Sequence, residues 1–411
     1  MSFFEIIGAL LATVALFGYL NHKFIRLPDS IGITATGMVI SLVLAVVGHH
    51  YPIAIQWASD FSEGLDFSEA VFHGLLGVLL FAGSLHVNIS EIAKQRLSIF
   101  TLATAGVVIS TAVVGVGMYW ILEALGLHVA LVYCLLFGAL ISPTDPIAVL
   151  GLLKTAGVPK ALEMDITGES LSNDGTGVVL FLVLLGIATG TAEASVGSVS
   201  KMLAMEVGGA VVVGLALGYV AFVMLKGVDS YPVEILITLA LATGGYSLAE
   251  RLHVSAPLAV VISGLVVGNQ GAAHAMSETT RQHLFSFWEL LDEVLNLVLF
   301  GLIGIKLLSL ADTDVSWTAA ILTIPLVLLA RFISVGIPLL VLKPWLNSVT
   351  HTVKILTWGG LRGGISIALA LSLPEFGGKD LFVVATYAVV LFSLIVQAPT
   401  LSPLLRKWNP Q

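Results

Sequence analysis

The sequence predicts an all-α polytopic membrane protein, one transporter unit over residues 1–411 with about thirteen transmembrane helices. Three observations predict it. Hydrophobic residues make up 57% of the chain and charged residues only 11%, with a mean hydropathy of +1.01, whereas a soluble domain carries about 25% charge. Apolar stretches of membrane-crossing length recur from end to end, joined by short loops. Two of those stretches are interrupted by Pro or Gly beside a charged residue, the pattern of an inverted-repeat transporter whose site lies near the bilayer midplane.

The predicted spans are, in order, 3–21, 30–49, 67–86, 98–122, 128–152, 162–189, 202–225, 232–250, 254–268, 286–309, 316–342, 351–373 and 380–403. Phe3–Leu20 lacks a basic leader and a small-residue cleavage site, so it reads as a span rather than a secretory signal. The basic residues set orientation. With the C-terminus cytoplasmic, one set of alternate loops holds twelve of the eighteen Lys and Arg, among them Lys23, Lys94, Lys154, Lys226, Arg281 and Lys343. The opposite loops hold only Lys201, Arg251 and Lys379. One miscounted span would scramble that bias, so the N-terminus is expected outside and the C-terminus inside a cell membrane.

Several classes are excluded. The net charge of −8 comes from scattered acids with no basic run, so nucleic acid is not a partner. A single Cys134 permits no disulfide framework. Motifs for ATP, zinc and dinucleotides are absent, and no cofactor or enzymatic activity is expected. An intramembrane aspartyl protease would need a GxGD motif, which is missing.

The fifth span is broken by "SPTDP" (Ser142–Pro146) and the twelfth by "GGLRGG" (Gly359–Gly364). Gly in a helix interior costs about 1 kcal/mol and Pro about 3. Unwound backbone at membrane depth survives only where it is buried in protein or lines a cavity. Small-residue pairs such as Gly214 and Gly218, by contrast, read as helix-packing contacts.

Charges inside spans are costly and point to function. Asp145 sits at the first break. The sixth span adds "GESLSND" (Gly168–Asp174), in which Ser170 and Asp174 share one helical face and Glu169 and Asn173 another. Asp145, Asp174, Ser170, Asn173 and carbonyls freed around Thr144 form an all-oxygen set, the kind that suits a hard cation. A poorly solvated cavity disfavours the charged form of a carboxylate, and a second carboxylate adds to the effect. The same oxygens then hold either a proton or an alkali cation, the minimal device for exchange. Arg331 and Arg362 lie within the eleventh and twelfth spans. Glu169, off the Ser170/Asp174 face, is assigned to Arg331 as a structural pair. Lys306 is expected to snorkel. His274 and His283 lie in a cytoplasmic loop, and Glu289, Asp292 and Glu293 at the inner end of the tenth span are either solvated or a cation-attracting funnel.

"ISPTDPIAV", "GESLSNDGTGVVLF", "LLARFISVG" and "GGLRGGISIALAL" together resemble the monovalent cation:proton antiporters, in the branch of the prokaryotic Na⁺/H⁺ antiporters and the animal sodium/proton exchangers. The resemblance covers essentially the whole chain. It implies a homodimer of thirteen-helix protomers in which a core domain moves as an elevator against a dimerisation domain. The core would draw on 67–189 and 286–403, less their dimer-side helices, and the dimerisation part on 3–49 and 202–268. It implies Asp174 as the central ion- and proton-binding carboxylate, with Thr144, Asp145 and Ser170 as further ligands, so that Na⁺ sits at Asp145, Ser170 and Asp174. Asn173 would support the site, Glu169–Arg331 would be the core ion pair, and Arg362 would mark the helix crossing. In that family an Asn–Asp pair, here Asn173–Asp174, goes with electroneutral one-for-one exchange. One departure stands out: Ala82 occupies a third-span position where many prokaryotic relatives carry glutamate, so Asn173 is expected to lose a partner. The long cytoplasmic tail of the animal exchangers is also not present before Gln411. A K⁺/H⁺ antiporter with the same site and a Na⁺-coupled solute symporter are the alternative functions.

Overall fold

Lipid offers the backbone no hydrogen bonds, so a membrane chain must satisfy its polar groups internally. The regular structure among the described residues is accordingly all helix, with no strand. The computed structural model describes residues 3–25, 32–33, 36–37, 39, 75–90, 96–145, 160–190, 196–310, 315–342 and 350–408. The second predicted span falls almost wholly outside them, as do the start of the third and the end of the fifth.

The helices are α1 (Phe3–Leu20), α2 (Gly77–Leu85), α3 (Leu97–Ala124), α4 (Leu131–Ile141), α5 (Lys160–Ala188), α6 (Val196–Lys226) and α7 (Tyr231–Arg251). They continue with α8 (Ala256–His274), α9 (Glu278–Leu310), α10 (Trp317–Leu342), α11 (Thr350–Trp358), α12 (Gly364–Leu371), α13 (Lys379–Phe392) and α14 (Ala398–Trp408). Seven stretches among the described residues are long and apolar enough to cross a membrane. Proline is placed where it costs least in α7 and α8, in the first turn.

α4, α11 and α12 stand apart. They have 11, 9 and 8 residues, and at 1.5 Å per residue each covers about 12–17 Å of a hydrocarbon core about 30 Å thick. None crosses alone. α4 ends at Ile141, followed by non-helical 142–145, and α11 and α12 are separated by non-helical 359–363. The proline and glycine clusters thus break two spans near their middles.

Packing divides the helices into two groups. α1, α3, α4, α5, α10, α12 and α13 share one apolar cluster, in which Phe137 meets Phe382 with ring centroids 4.9 Å apart. α2, α6, α7, α8 and the N-terminal half of α9 share another, centred on Phe81, Tyr246 and Trp288. The stretch Lys379–Leu401, α13 and its continuation, is buried over 72% of its most apolar part and Ala204–Lys226 of α6 over only 22%, so the former is central and α6 turns its flank outward. The small faces of α6 at Gly214 and Gly218 lie against Ala259, Ile262 and Val266 of α8, as their spacing predicts. α9 belongs to both groups, since Leu284 and Trp288 join the second cluster while Val298 and Leu299 join the first.

Trp288 is fully buried, lies 4.7 Å from the Phe81 ring and donates its indole N–H to Thr238 Oγ1 at 2.9 Å. It therefore joins α2, α7 and α9. Replacement by Ala is expected to cost about 3–5 kcal/mol, and replacement by Phe about 1 kcal/mol for the lost hydrogen bond. Apparent melting temperatures of the detergent-solubilised variants check the ranking.

Candidate functional site

The two non-helical stretches touch through their backbones. Asp145 N–H donates to the Leu361 carbonyl at 2.8 Å. A Cβ on Gly363 would run into the Asp145 side chain, so only glycine lets the second break approach this closely. Breaking α4 strips partners from its last carbonyls, which also form the negative end of the half-helix. Arg362, 1% exposed, fills that need: its Nη1 donates to the carbonyls of Ser142 and Pro143, the latter at 2.9 Å. These freed carbonyls are thus occupied by a guanidinium. The Ser142 hydroxyl donates to the Gly138 carbonyl at 2.6 Å and lies 2.9 Å from Ser110 Oγ.

α5 brings its polar turn against the first break. Thr144, Ser170, Asn173 and Asp174 are all buried. Asn173 brackets Thr144, accepting from its backbone N–H through Oδ1 at 3.1 Å and donating through Nδ2 to its hydroxyl at 2.8 Å. The hydroxyls of Thr144 and Ser170 share a hydrogen bond of 2.9 Å. The Asn173 amide therefore finds its partners on the break rather than on α2, where Ala82 is buried. Asp174 differs from its neighbours. It is 4% exposed, and its Oδ1 has no hydrogen-bond partner. Asp145 lies close enough to repel it and Arg362 close enough to attract it.

Glu169 points elsewhere. Arg331 of α10 grips it with both terminal nitrogens, at 2.5 and 2.9 Å, and donates through Nε to the Leu356 carbonyl at 3.2 Å. Glu169 is 1% exposed and Arg331 7%, so this fork ties α5, α10 and α11 together in the interior. Around the crossing, three carboxylates (Asp145, Glu169, Asp174) face two guanidiniums (Arg331, Arg362). Arginine stays protonated, so among the described residues these five groups, fully ionised, keep one negative charge in excess. One monovalent cation or one proton balances it.

Two contributors escape sequence reasoning. Leu361 acts through its carbonyl, which leaves no side-chain signal, and Ser142 was a polar residue beside the break that the spacing did not tie to any role. The Lys306 side chain and Pro146 lie outside the described residues. His274 and His283 are exposed, with the His283 ring 4.5 Å from Tyr231.

A helical membrane protein whose half-helices meet at a buried carboxylate, with unwound backbone supplying partners, belongs to the class of secondary transporters. Its family follows from the whole chain: the protein belongs to the sodium/hydrogen exchanger family, whose transmembrane model matches residues 11–407. It is 46% identical over 408 residues to the Na⁺/H⁺ antiporter NhaP of Pseudomonas aeruginosa, covering 98% of this chain and 96% of that one. It is 36% identical over 392 residues to the Na⁺/H⁺ antiporter NhaH of Halobacillus aidingensis, covering 94% and 93%. Its fold is similar to that of the sodium proton antiporter MjNhaP1 of Methanocaldococcus jannaschii at pH 8, with a TM-score of 0.75 over the whole of both chains at 19% identity.

Removing one member of the Glu169–Arg331 pair strands a buried charge, which costs about 3–5 kcal/mol. Glu169→Ala and Arg331→Ala are each expected to lower membrane yield and melting temperature before any direct loss of ion binding. Unchanged melting in Glu169→Ala would contradict an interior ion pair.

Proposed function

We propose that the protein is a secondary active antiporter that exchanges Na⁺, or Li⁺, for H⁺ across the cell membrane, one for one and without net charge movement. The proton and the cation compete for Asp174, with Asp145, Thr144 and Ser170 completing the ion's oxygen shell, Asn173 holding Thr144 in place and Arg362 stabilising the crossing. The observation that carries this reading is the partnerless Oδ1 of Asp174 at the helix crossing, within a cluster that holds one negative charge in excess. Either H⁺ or Na⁺ cancels that charge, so the two loaded forms are electrically alike and exchange in either direction moves none. The empty form keeps a bare charge in a poorly solvated site, which opposes its return and couples the fluxes. The antiporters named above, similar along nearly their full lengths, support Na⁺ as the ion. No step calls for bond chemistry, and the reading is of a transporter rather than an enzyme.

The wider arrangement is part of the same proposal. Thirteen spans place the N-terminus outside and the C-terminus in the cytoplasm. The helices grouped with α3–α5 and α10–α13 form a core that slides as an elevator along a scaffold of α6–α8 with the dimer-side helices α1, α2 and α9. A second copy docks on the scaffold. The outward flank of α6, with Met205, Val212 and Tyr219 exposed, suits lipid or that copy. K⁺ in place of Na⁺ remains the alternative ion, because hard-cation selectivity depends on cavity size and rigidity rather than ligand type.

Reconstituted in liposomes, the wild type is expected to release protons on addition of Na⁺ or Li⁺, and Asp174→Asn to lose this entirely while folding normally. A K⁺ response exceeding that to Na⁺ would reassign the ion, and retained transport in Asp174→Asn would displace the site. Acidification is expected to raise the apparent KM for Na⁺ with Vmax unchanged, since protons occupy the same carboxylate. A fall in Vmax alone would refute a single shared site.

A further inference from the structure

α9 carries a carboxylate that the transport site does not yet use. Asp292 lies toward the N-terminal end of the predicted tenth span, and its Oδ1 is buried without a hydrogen-bond partner. Asn296, one turn on and 3% exposed, donates to the Asp292 carbonyl at 2.8 Å and lies beside its carboxylate. Among the described residues, the charged groups acting on Asp292 are the acids Asp145 and Glu293. A carboxylate set between two others and partly withdrawn from water attracts cations strongly.

The helix geometry places this group. Leu299 packs where a Cβ on Gly364 would stand, so α9 is level with the helix crossing at Leu299. Asp292 lies seven residues earlier on nearly the same face, two turns or about 10 Å toward the N-terminal end of α9. The loop at that end carries Arg281 and belongs to the basic-rich set assigned to the cytoplasm. Asp292 therefore stands between cytoplasmic water and Asp145. It also stands on the other packing group: the neighbouring Trp288 is anchored to α2 and α7, whereas Asp145 and Asp174 belong to α4's break and α5.

We propose that Asp292 is a further cation-binding residue of the transport path, the carboxylate that receives the alkali cation on the cytoplasmic side and passes it to Asp145 and Asp174. It adds a negative charge beyond the one that the crossing leaves over, and a cation in transit neutralises it. Because Trp288 anchors this part of α9 to α2 and α7, it serves one face of the membrane only. This inference rests on the antiport reading and on its orientation.

The test uses the full-length protein in everted and right-side-out membrane vesicles, with Na⁺-driven pH change as readout. Asp292→Asn is expected to raise the KM for Na⁺ at the cytoplasmic face about tenfold, the equivalent of about 1.4 kcal/mol. Its outer-face KM and its Vmax are expected to stay within about twofold, a uniform-binding signature that a structural defect would not give. Asp292→Glu is expected to retain the wild-type KM, and Glu293→Gln, at an exposed neighbour, to leave it unchanged. An unaltered cytoplasmic KM, an equal rise at both faces, or the same rise in Glu293→Gln overturns the proposal. Should Asp292→Asn fail to reach the membrane, Asp292→Cys supplies the answer, since the single native cysteine, Cys134, is buried. Labelling from the cytoplasmic side with an anionic thiol reagent is then expected to lower KM and a cationic reagent to raise it, and equal effects of the two overturn the proposal. Wild-type vesicles that show no Na⁺-driven pH change overturn the antiport reading itself, whereas a normal wild type with an unaffected Asp292→Asn overturns only this inference.

Discussion

Unwound backbone inside a bilayer has to find its hydrogen bonds within the protein, and the whole site is arranged around meeting that demand at 142–145 and 359–363. Pro143 ends α4 and leaves carbonyls without partners at the negative tip of a half-helix. Arg362 answers with a buried positive charge on two of them, Ser142 and Pro143. Asp145 answers on the other side, giving its N–H to Leu361. Each break thus supplies what the other lacks. Gly363 is needed because a side chain there would occupy the space of Asp145.

The same arrangement sets the electrostatics. Arg362 is in the interior because the half-helix needs a donor, and once there it acts on Asp174. Glu169 could have competed for that arginine, but Arg331 holds both its oxygens. What is left over is a single negative charge, shared by two acids of which Asp174 is the more deeply buried. Asn173 is spent on Thr144, so its amide cannot neutralise anything. A site with one charge to cancel suits a competition between two monovalent cations, beside hydroxyls that are bonded to each other at Thr144 and Ser170.

Phe137, Ile367, Phe382 and Val389 belong to the apolar cluster that joins the helices of the crossing, while α9 reaches it at Leu299 and is anchored to α2 and α7 through Trp288. Such a helix can remain with its own group if the crossing moves, which is why a carboxylate on α9 differs in kind from one on α5.

That the chain is helical and crosses a membrane repeatedly was readable directly, because lipid leaves helix as the only economical structure and hydropathy reports it. The helices at the described positions follow the predicted segments, and the two interruptions lie where Pro143 and Gly359–Gly364 put them. The polar wedge of α5 was also readable from its spacing of four. Partner choice was only partly so. Glu169 was assigned to Arg331, and that is the arginine it meets, held there rather than at Arg362 by the approach of α10 to α5. With Ala82 in place of a glutamate Asn173 loses that partner, and nothing in the spacing shows that it holds Thr144 instead, a contact across 29 residues. The link from Asp145 to Leu361 is between backbones and has no signature in residue type. Composition and periodicity by themselves determined a helical membrane protein with broken spans and buried acids, because those follow from the free energy of transferring single residues into lipid. Which carbonyl meets which guanidinium, and which carboxylate is left over, depends on distances between segments up to 220 residues apart, and only the folded chain decides them.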